Sequence, residues 1–304
     1  MMIKTVVKSC VMILICAAML FAMSGYTVDT WSADSTTTAL ATTKPKSTLK
    51  GVDHESWDIL KSKYKDTVGY IKVPGTTIDD VVVQGDDNDY YLRRSAKGAQ
   101  DEYVHSGCYF ADFRCAIDLC QNTVIYGHNL NDESVKFGQL EKYRSLDFYK
   151  KNPVIYFDTP NTVGIWKIVA IFMTNNNPDD GVIFYYRNRG FQTQETFLNF
   201  IERCRRRSLI DCPVDVKEND RIITLSTCDY QLGHTSSTEG RFVIIARQLR
   251  DGEKQTVDVS SAKLNDNPLM PEGYYKKYGG TMPYYEDEPL LKDQRATTTA
   301  ATTK

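Results

Sequence analysis

Arg221-Ile222-Ile223-Thr224-Leu225-Ser226-Thr227-Cys228 alternates its side chains as a half-buried strand does, then stops on a cysteine. A second run, Arg241-Phe242-Val243-Ile244-Ile245-Ala246-Arg247, starts 13 residues later with an arginine. Upstream, Thr123-Val124-Ile125-Tyr126 ends in Gly127-His128-Asn129. Antiparallel pairing of the first two runs through the loop 229–240 would set Cys228 opposite Arg241. Spacing alone does not place His128 beside them. If the three strand ends share one rim, the rim holds an acyl-transfer set. The thiol is the nucleophile, the imidazole exchanges a proton with an amine, and the guanidinium holds an oxyanion or a peptide carbonyl.

Outward from these runs, strand-like segments recur at 68–73, 78–83, 107–110, 122–126, 154–158, 163–174, 221–227 and 241–249. Eight short strands with turn residues between them predict a mainly β protein, a closed or nearly closed β-barrel with peripheral helices. One helix, capped by Asp53, is expected to run to about Tyr64, with Trp57, Leu60 and Tyr64 at helical spacing. A second, over about 193–206, precedes the cysteine strand and puts Phe197, Phe200, Ile201 and Cys204 on one apolar face. Shorter helical pieces are expected near 88–94 and 134–150.

The chain has 304 residues and a net charge of −2, without the basic surplus of a nucleic-acid binder. Lys4 and Lys8 precede an uncharged stretch from Ser9 to Val28. Its length just reaches one membrane crossing, and the preceding positive charge orients the rest outward. Residues 1–31 are therefore expected to be a signal or membrane anchor, placing the protein in the cell membrane with an extracellular domain. A cleaved signal peptide and a secreted protein is the alternative. Residues 32–50, rich in Ser, Thr, Ala and Lys, form a linker, and 51–250 the folded domain. Beyond 250 the pattern fails, and 251–304 is expected to be a disordered or weakly wrapping tail carrying Tyr274, Tyr275, Tyr278, Tyr284 and Tyr285.

Of the 8 cysteines, Cys10 and Cys16 fall in the export segment. Setting aside Cys228 leaves five in the remainder, an odd number that cannot pair fully within one chain. Cys108, Cys115 and Cys120 do not follow a common zinc spacing and read as free, partly buried thiols. Cys204 and Cys212 are close enough in sequence to bridge, if geometry permits. No metal or cofactor is called for. Among the four histidines, His54 reads as a surface residue of the first helix and His105 has no partner signal. His234, in the loop after Cys228, is the reserve to His128. Arg247 and Arg250 compete with Arg241, but only Arg241 stands at the strand start. The cluster Arg203, Arg205, Arg206 and Arg207 reads as a solvated helix end favoured by the macrodipole.

Thr224-Leu225-Ser226-Thr227-Cys228 is a TLxTC run, and Tyr126-Gly127-His128-Asn129 and Gly240-Arg241-Phe242-Val243 accompany it in order. Together they resemble the sortases, transpeptidases of Gram-positive surfaces. Cys228-Asp229-Tyr230, a helix-bearing insert at about 181–210, and the segments 69–76, 82–85 and 88–92 are similar to class B. The similarity spans about residues 53–250.

The resemblance implies a sortase-type eight-stranded barrel with an N-terminal helix and a helix in the insert. Cys228 would be the nucleophile, His128 the acid–base and Arg241 the oxyanion or backbone anchor. Ser226, Asn88, Leu92 and Tyr126 would border the substrate groove. The implied reaction cleaves an LPxTG- or NPxTN-like C-terminal sorting signal after Thr through a thioester. The protein is then passed to an amine of a peptidoglycan precursor or wall peptide. The partners are surface proteins carrying that signal, the wall amine, and the membrane through the N-terminal segment, but no nucleic acid. A secreted cysteine hydrolase, a pilin-polymerising sortase and a wall-binding module with a vestigial motif are the alternatives. The tail departs from class B, which usually ends soon after the last barrel strand. Asp229 is expected to face solvent or substrate, since an inward carboxylate would disfavour the adjacent thiolate.

Overall fold

The computed structural model describes residues 51–98, 104–130, 136–235 and 238–288. Its strands in chain order are β1 (Thr67–Lys72), β2 (Asp79–Val83), β3 (Tyr109–Ala111), β4 (Asn122–Tyr126), β5 (Val154–Asp158), β6 (Ile165–Asn175), β7 (Ile210–Asp211), β8 (Ile222–Thr235), β9 (Thr238–Gln248) and β10 (Lys263–Leu264). Eight of them close a barrel in the order β1-β2-β3-β4-β8-β9-β6-β5, and each falls on one of the strand-like runs. β7 and β10 form a separate two-stranded ladder.

β8 is the pivot. It runs parallel to β4, with Asn122 opposite Ile222 and Tyr126 opposite Ser226, and antiparallel to β9. β6, on the far side of β9, is buried at all eleven positions. One set of its side chains, Trp166, Ile168 and Ile171, fills the barrel interior. The other, Val169, Ala170 and Phe172, packs outside against Phe197, Phe200, Ile201 and Cys204. A register shift between Ile168 and Ala170 re-phases the alternation. Cover on both faces is why β6 reads as an unbroken apolar run.

The outer cover is helix α3 (Gln194–Arg207), following the short helices α1 (Trp57–Lys63) and α2 (Leu146–Lys151). Thr193 caps α3 by accepting from Thr196 N, and the Thr196 hydroxyl bonds back towards the Thr193 N–H, closing a capping box. The expected cap of α1 is corrected: Ser56, not Asp53, accepts from Ile59 N. His54 therefore lies before the helix, not on it. Its ring stacks on Tyr70 at 4.9 Å and meets Trp57 edge-on, so it is no surface residue. The pieces expected near 88–94 and 134–150 are 3₁₀ helices, Tyr90–Arg93 and Lys136–Arg144, with α2 completing the second.

The tail also needs correction. Residues 251–288 are ordered against the barrel. β10 pairs with β7, and a further helix α4 (Glu272–Tyr278) follows. Met270 packs with Met173 and Leu232. Buried Glu288 accepts hydrogen bonds from Arg203 and Arg207. These arginines are not a solvated helix end. Positive charge in the last turn of α3 draws a carboxylate from the tail. Residues 289–304 lie outside the described residues.

The expectation of a cell-membrane protein with a single anchor is also corrected. Among the described residues no helix is long and apolar enough to cross a membrane, and residues 1–50 lie outside them. The six cysteines in the described residues are free. Cys204 and Cys212 do not bridge because they pack in different clusters, one under α3 and one against the barrel core.

Candidate active site

The parallel pairing of β4 with β8 continues past the ends of the ladder. Gly127 N donates to Ser226 O at 3.3 Å, and the Thr227 hydroxyl donates to Gly127 O at 2.7 Å. Asn129 Nδ2 donates to Cys228 O at 3.0 Å. His128 thus leaves its strand beside the end that carries Cys228. On the other side, the β8–β9 ladder sets Cys228 directly opposite Arg241. Two glycines permit the close approaches. A Cβ at Gly127 would stand 2.7 Å from the Phe137 ring, and one at Gly240 2.5 Å from the Asp229 carbonyl.

Cys228, His128 and Arg241 open onto one cleft of about 200 Å³. Asn88, Leu92, Tyr126 and Ser226 line the same cleft, so all seven residues singled out in the sequence are brought together. Cys228 and Arg241 are half-buried. The competing arginines are elsewhere. Arg247 is buried against Glu253 and Asp215, and Arg250 bonds Asp215 and Asp220. Of the other histidines, His54 is the neighbour of Tyr70 and His105 is exposed. The side chain of His234 lies outside the described residues.

His128 is buried, and its Nε2 lies 2.6 Å from the carbonyl oxygen of Leu92. A carbonyl only accepts, so Nε2 carries the proton and Nδ1 keeps its lone pair. Burial holds the pKa of His128 below its ordinary value. The Leu92 bond opposes this, and the positive charge of Arg93 and His105 reinforces it. His128 is therefore neutral at pH 7.

Asp229 departs from expectation. It is 2% exposed and faces inward, where Arg144 pairs with it. Arg144 also pairs with Glu141 and lies 4.6 Å over the Phe242 ring. Burial opposes the Arg144 charge, but the Asp229 and Glu141 carboxylates more than offset it and raise its pKa. The like-charge penalty on a neighbouring thiolate is met by this cation, not by turning the carboxylate outward.

Four residues escape the sequence reading. Asp112, at the end of β3, is fully buried. It accepts from Tyr126 Oη at 2.9 Å, from Asn88 Nδ2 at 3.2 Å, and from Arg114 Nε and Nη2. Burial alone would raise its pKa; these donors hold it well below the usual carboxylate range. One carboxylate thus positions two groove residues, and an acid closing an apolar run was its signal. Tyr186 is buried with its hydroxyl 2.8 Å from Ser226 Oγ. Arg187 and Phe110 complete the lining. They come from the insert and from β3, with no motif around them.

A thiol, a neutral imidazole and a guanidinium on one barrel rim define a cysteine acyl-transfer enzyme. Comparison with known proteins agrees. The Sortase domain family matches residues 71–249. Sortase B of Listeria monocytogenes is 34% identical over 186 residues, 61% of this chain and 70% of that protein. A Staphylococcus aureus sortase B–substrate complex aligns with a TM-score of 0.56 at 30% identity, covering 64% of this chain and 85% of that one. A sortase B complexed with triglycine aligns at 0.55 and 31%, covering 64% and 86%. The chain belongs to the sortase family, on the class B side. It is a cysteine transpeptidase of the kind that anchors or processes surface proteins.

Proposed function

We propose that this transpeptidase cleaves an LPxTG- or NPxTN-like C-terminal sorting signal after Thr and passes the protein to an amine on a peptidoglycan precursor or wall peptide. The observation that carries this is the double register of β8, which pairs Cys228 with Arg241 and Tyr126 with Ser226 and so gathers Cys228, His128 and Arg241 at one cleft. The substrate and triglycine complexes of the related sortase B proteins support a peptide donor and an amine acceptor.

The chemistry closes on these side chains. The Cys228 thiol passes its proton to His128 Nδ1, the nitrogen left basic by the Leu92 bond. Sγ attacks the Thr carbonyl carbon, and Arg241 holds the developing oxyanion. The C–N bond breaks, and the proton on His128 goes to the departing amine, leaving a thioester. An acceptor amine then attacks that thioester and gives its proton to His128. As the C–S bond breaks, the proton returns to sulfur. Ser226, Asn88, Leu92 and Tyr126 border the signal in the groove.

The test incubates the protein with LPxTG-like and NPxTN-like fluorogenic peptides, with and without glycine or a diaminopimelate-containing amine. Products are read by mass spectrometry beside Cys228→Ala. Cleavage after Thr with an amine-linked product, both lost in Cys228→Ala, is the expected result. Hydrolysis alone at high amine would replace the reading by a cysteine hydrolase. Transfer only to a lysine of a protein acceptor would make the enzyme a pilin polymerase. Peptide binding without cleavage would leave a binding module.

A further inference from the structure

Among the described residues seven arginines, Arg114, Arg144, Arg203, Arg206, Arg207, Arg247 and Arg250, are held by carboxylates. Others, such as Arg94, Arg189 and Arg205, donate to backbone carbonyls. Arg187 meets no carboxylate among the described residues. Its Nη2 reaches only Asn176 Oδ1, at 3.4 Å, and its Nε is buried with no hydrogen-bond partner among the described residues. The guanidinium lies against the rings of Tyr185 and Tyr186, at 5.5 and 5.7 Å. Such a buried, unmet N–H on a cation costs free energy in the empty protein and favours whatever ligand supplies an acceptor.

Its position says what that ligand is. Arg187 lines the catalytic cleft and also an adjoining cavity of about 540 Å³, where Tyr185, Arg189, Phe191 and Leu119 stand. Among the described residues lining either cavity there is no Asp or Glu. Asp112, the carboxylate behind the cleft, already bonds Arg114, Tyr126 and Asn88. Arg189 donates to the Arg114 carbonyl and makes no ion pair among the described residues. Leu119 is 85% exposed and Tyr185 46%, so an apolar rim flanks the cations. The passage is cationic and open, and an extended peptide leaving the cleft by it would advance about 3.3 Å per residue.

Resting on the transpeptidase reading above, we propose that Arg187 is a specificity-determining residue that takes a carboxylate of the peptide substrate where the catalytic cleft meets the adjoining cavity. The enzyme then favours an acidic group a few residues from the reacting bond. That carboxylate belongs to the sorting signal or to the acceptor peptide. The two sources share one chemistry and separate in the assay.

Donor peptides carrying Asp, Asn or Lys at each position flanking the cleaved bond are compared without acceptor. The best donor is then paired with acceptor peptides bearing a free carboxylate or its amide. At one position wild type should prefer Asp to Asn by about fivefold in kcat/KM, the scale of a partly exposed charge pair. Arg187→Gln should flatten that preference and Arg187→Glu should turn it towards Lys. If only the acceptor's carboxylate shows the effect, the acceptor is its source. Thermal unfolding verifies that the variants fold. Equal losses for Asp, Asn and Lys donors and for both acceptors would overturn the proposal. Binding of Asp and Asn peptides to Cys228→Ala, with and without Arg187→Gln, tests the donor arm without turnover. Equal affinities there, together with equal rates for the carboxylate and amide acceptors, would overturn it too. Loss of all turnover on Cys228→Ala tests the reaction itself and is a separate result.

Discussion

Removing Glu288 tests whether the C-terminal segment is part of the folded enzyme. The carboxylate is 6% exposed and takes four hydrogen bonds, two from Arg203 at 3.0 and 2.9 Å and two from Arg207 at 2.7 Å each. Burial alone would raise its pKa, but the two guanidiniums outweigh burial and bring it from 4.5 down to about 2. A carboxyl depressed by that much contributes about 3 kcal/mol of stability above its unfolded pKa. Its sign follows from the depressed folded value. The contribution is full above about pH 4.5 and is lost as pH falls through about 2. Arg203 is 29% exposed, so water screens its share. The expected cost of Glu288→Ala at pH 7 is then about 2–3 kcal/mol, since Arg207 keeps a largely buried charge without its partner. Glu288→Gln keeps the shape and isolates the charge. Urea denaturation of wild type and both variants at pH 7, 5 and 3 reads the effect. The gap should be constant from pH 7 to 5 and shrink by roughly half or more at pH 3. A gap that is absent at pH 7, or as wide at pH 3 as at pH 7, would refute the argument. Activity should fall with stability, because Lys277 and Tyr278 of the same segment donate to Gln231 O in the hairpin that follows Cys228.

Two other predictions concern the cleft. Asp112→Asn should raise KM for the peptide more than it lowers kcat, because it loosens Asn88 and Tyr126 rather than the reacting atoms; equal kinetics to wild type would show that Asp112 positions nothing. It should also cost about 2–4 kcal/mol in urea denaturation, since Arg114 loses a buried partner. Burial holds His128 below its ordinary pKa, so the acid limb of kcat/KM should lie below about pH 6.5. The unfolded chain binds that proton more readily, so stability should also fall as pH drops below about 6.5. An acid limb above pH 7 would contradict a neutral His128.

How much was legible in the sequence depended on how local the cause was. Strand-like runs marked all eight barrel strands: burial repeats every second residue where one face is less covered, as in β1, and is continuous in β6, which is covered on both faces. The 3.6-residue stripe of Phe197, Phe200, Ile201 and Cys204 marked α3 for the same reason. Cys228 and Arg241 became partners once two neighbouring runs paired. His128 was different. Its place beside Cys228 comes from a parallel pairing of β4 with β8 across about a hundred residues, which no local pattern encodes. Short-range signals also misled where a distant group intervened. Asp229 turned inward because Arg144, 85 residues away, neutralises it. Three arginines at the end of α3 are tied down because Asp287 and Glu288 come back to them. His54 left the helix for the Tyr70 ring.

By itself, then, the sequence determined the strands, the apolar face of α3 and the candidates proposed as nucleophile, base and cation, because side-chain type and short periodicity are properties of adjacent residues. Only the tertiary structure decided which charges are neutralised, that Asp112 positions the groove, that Arg187 meets no carboxylate among the described residues, and that residues 251–288 belong to the fold. Those outcomes depend on which distant groups share a buried space, and a buried charge or donor is settled by its neighbours in that space, not by its neighbours in the chain.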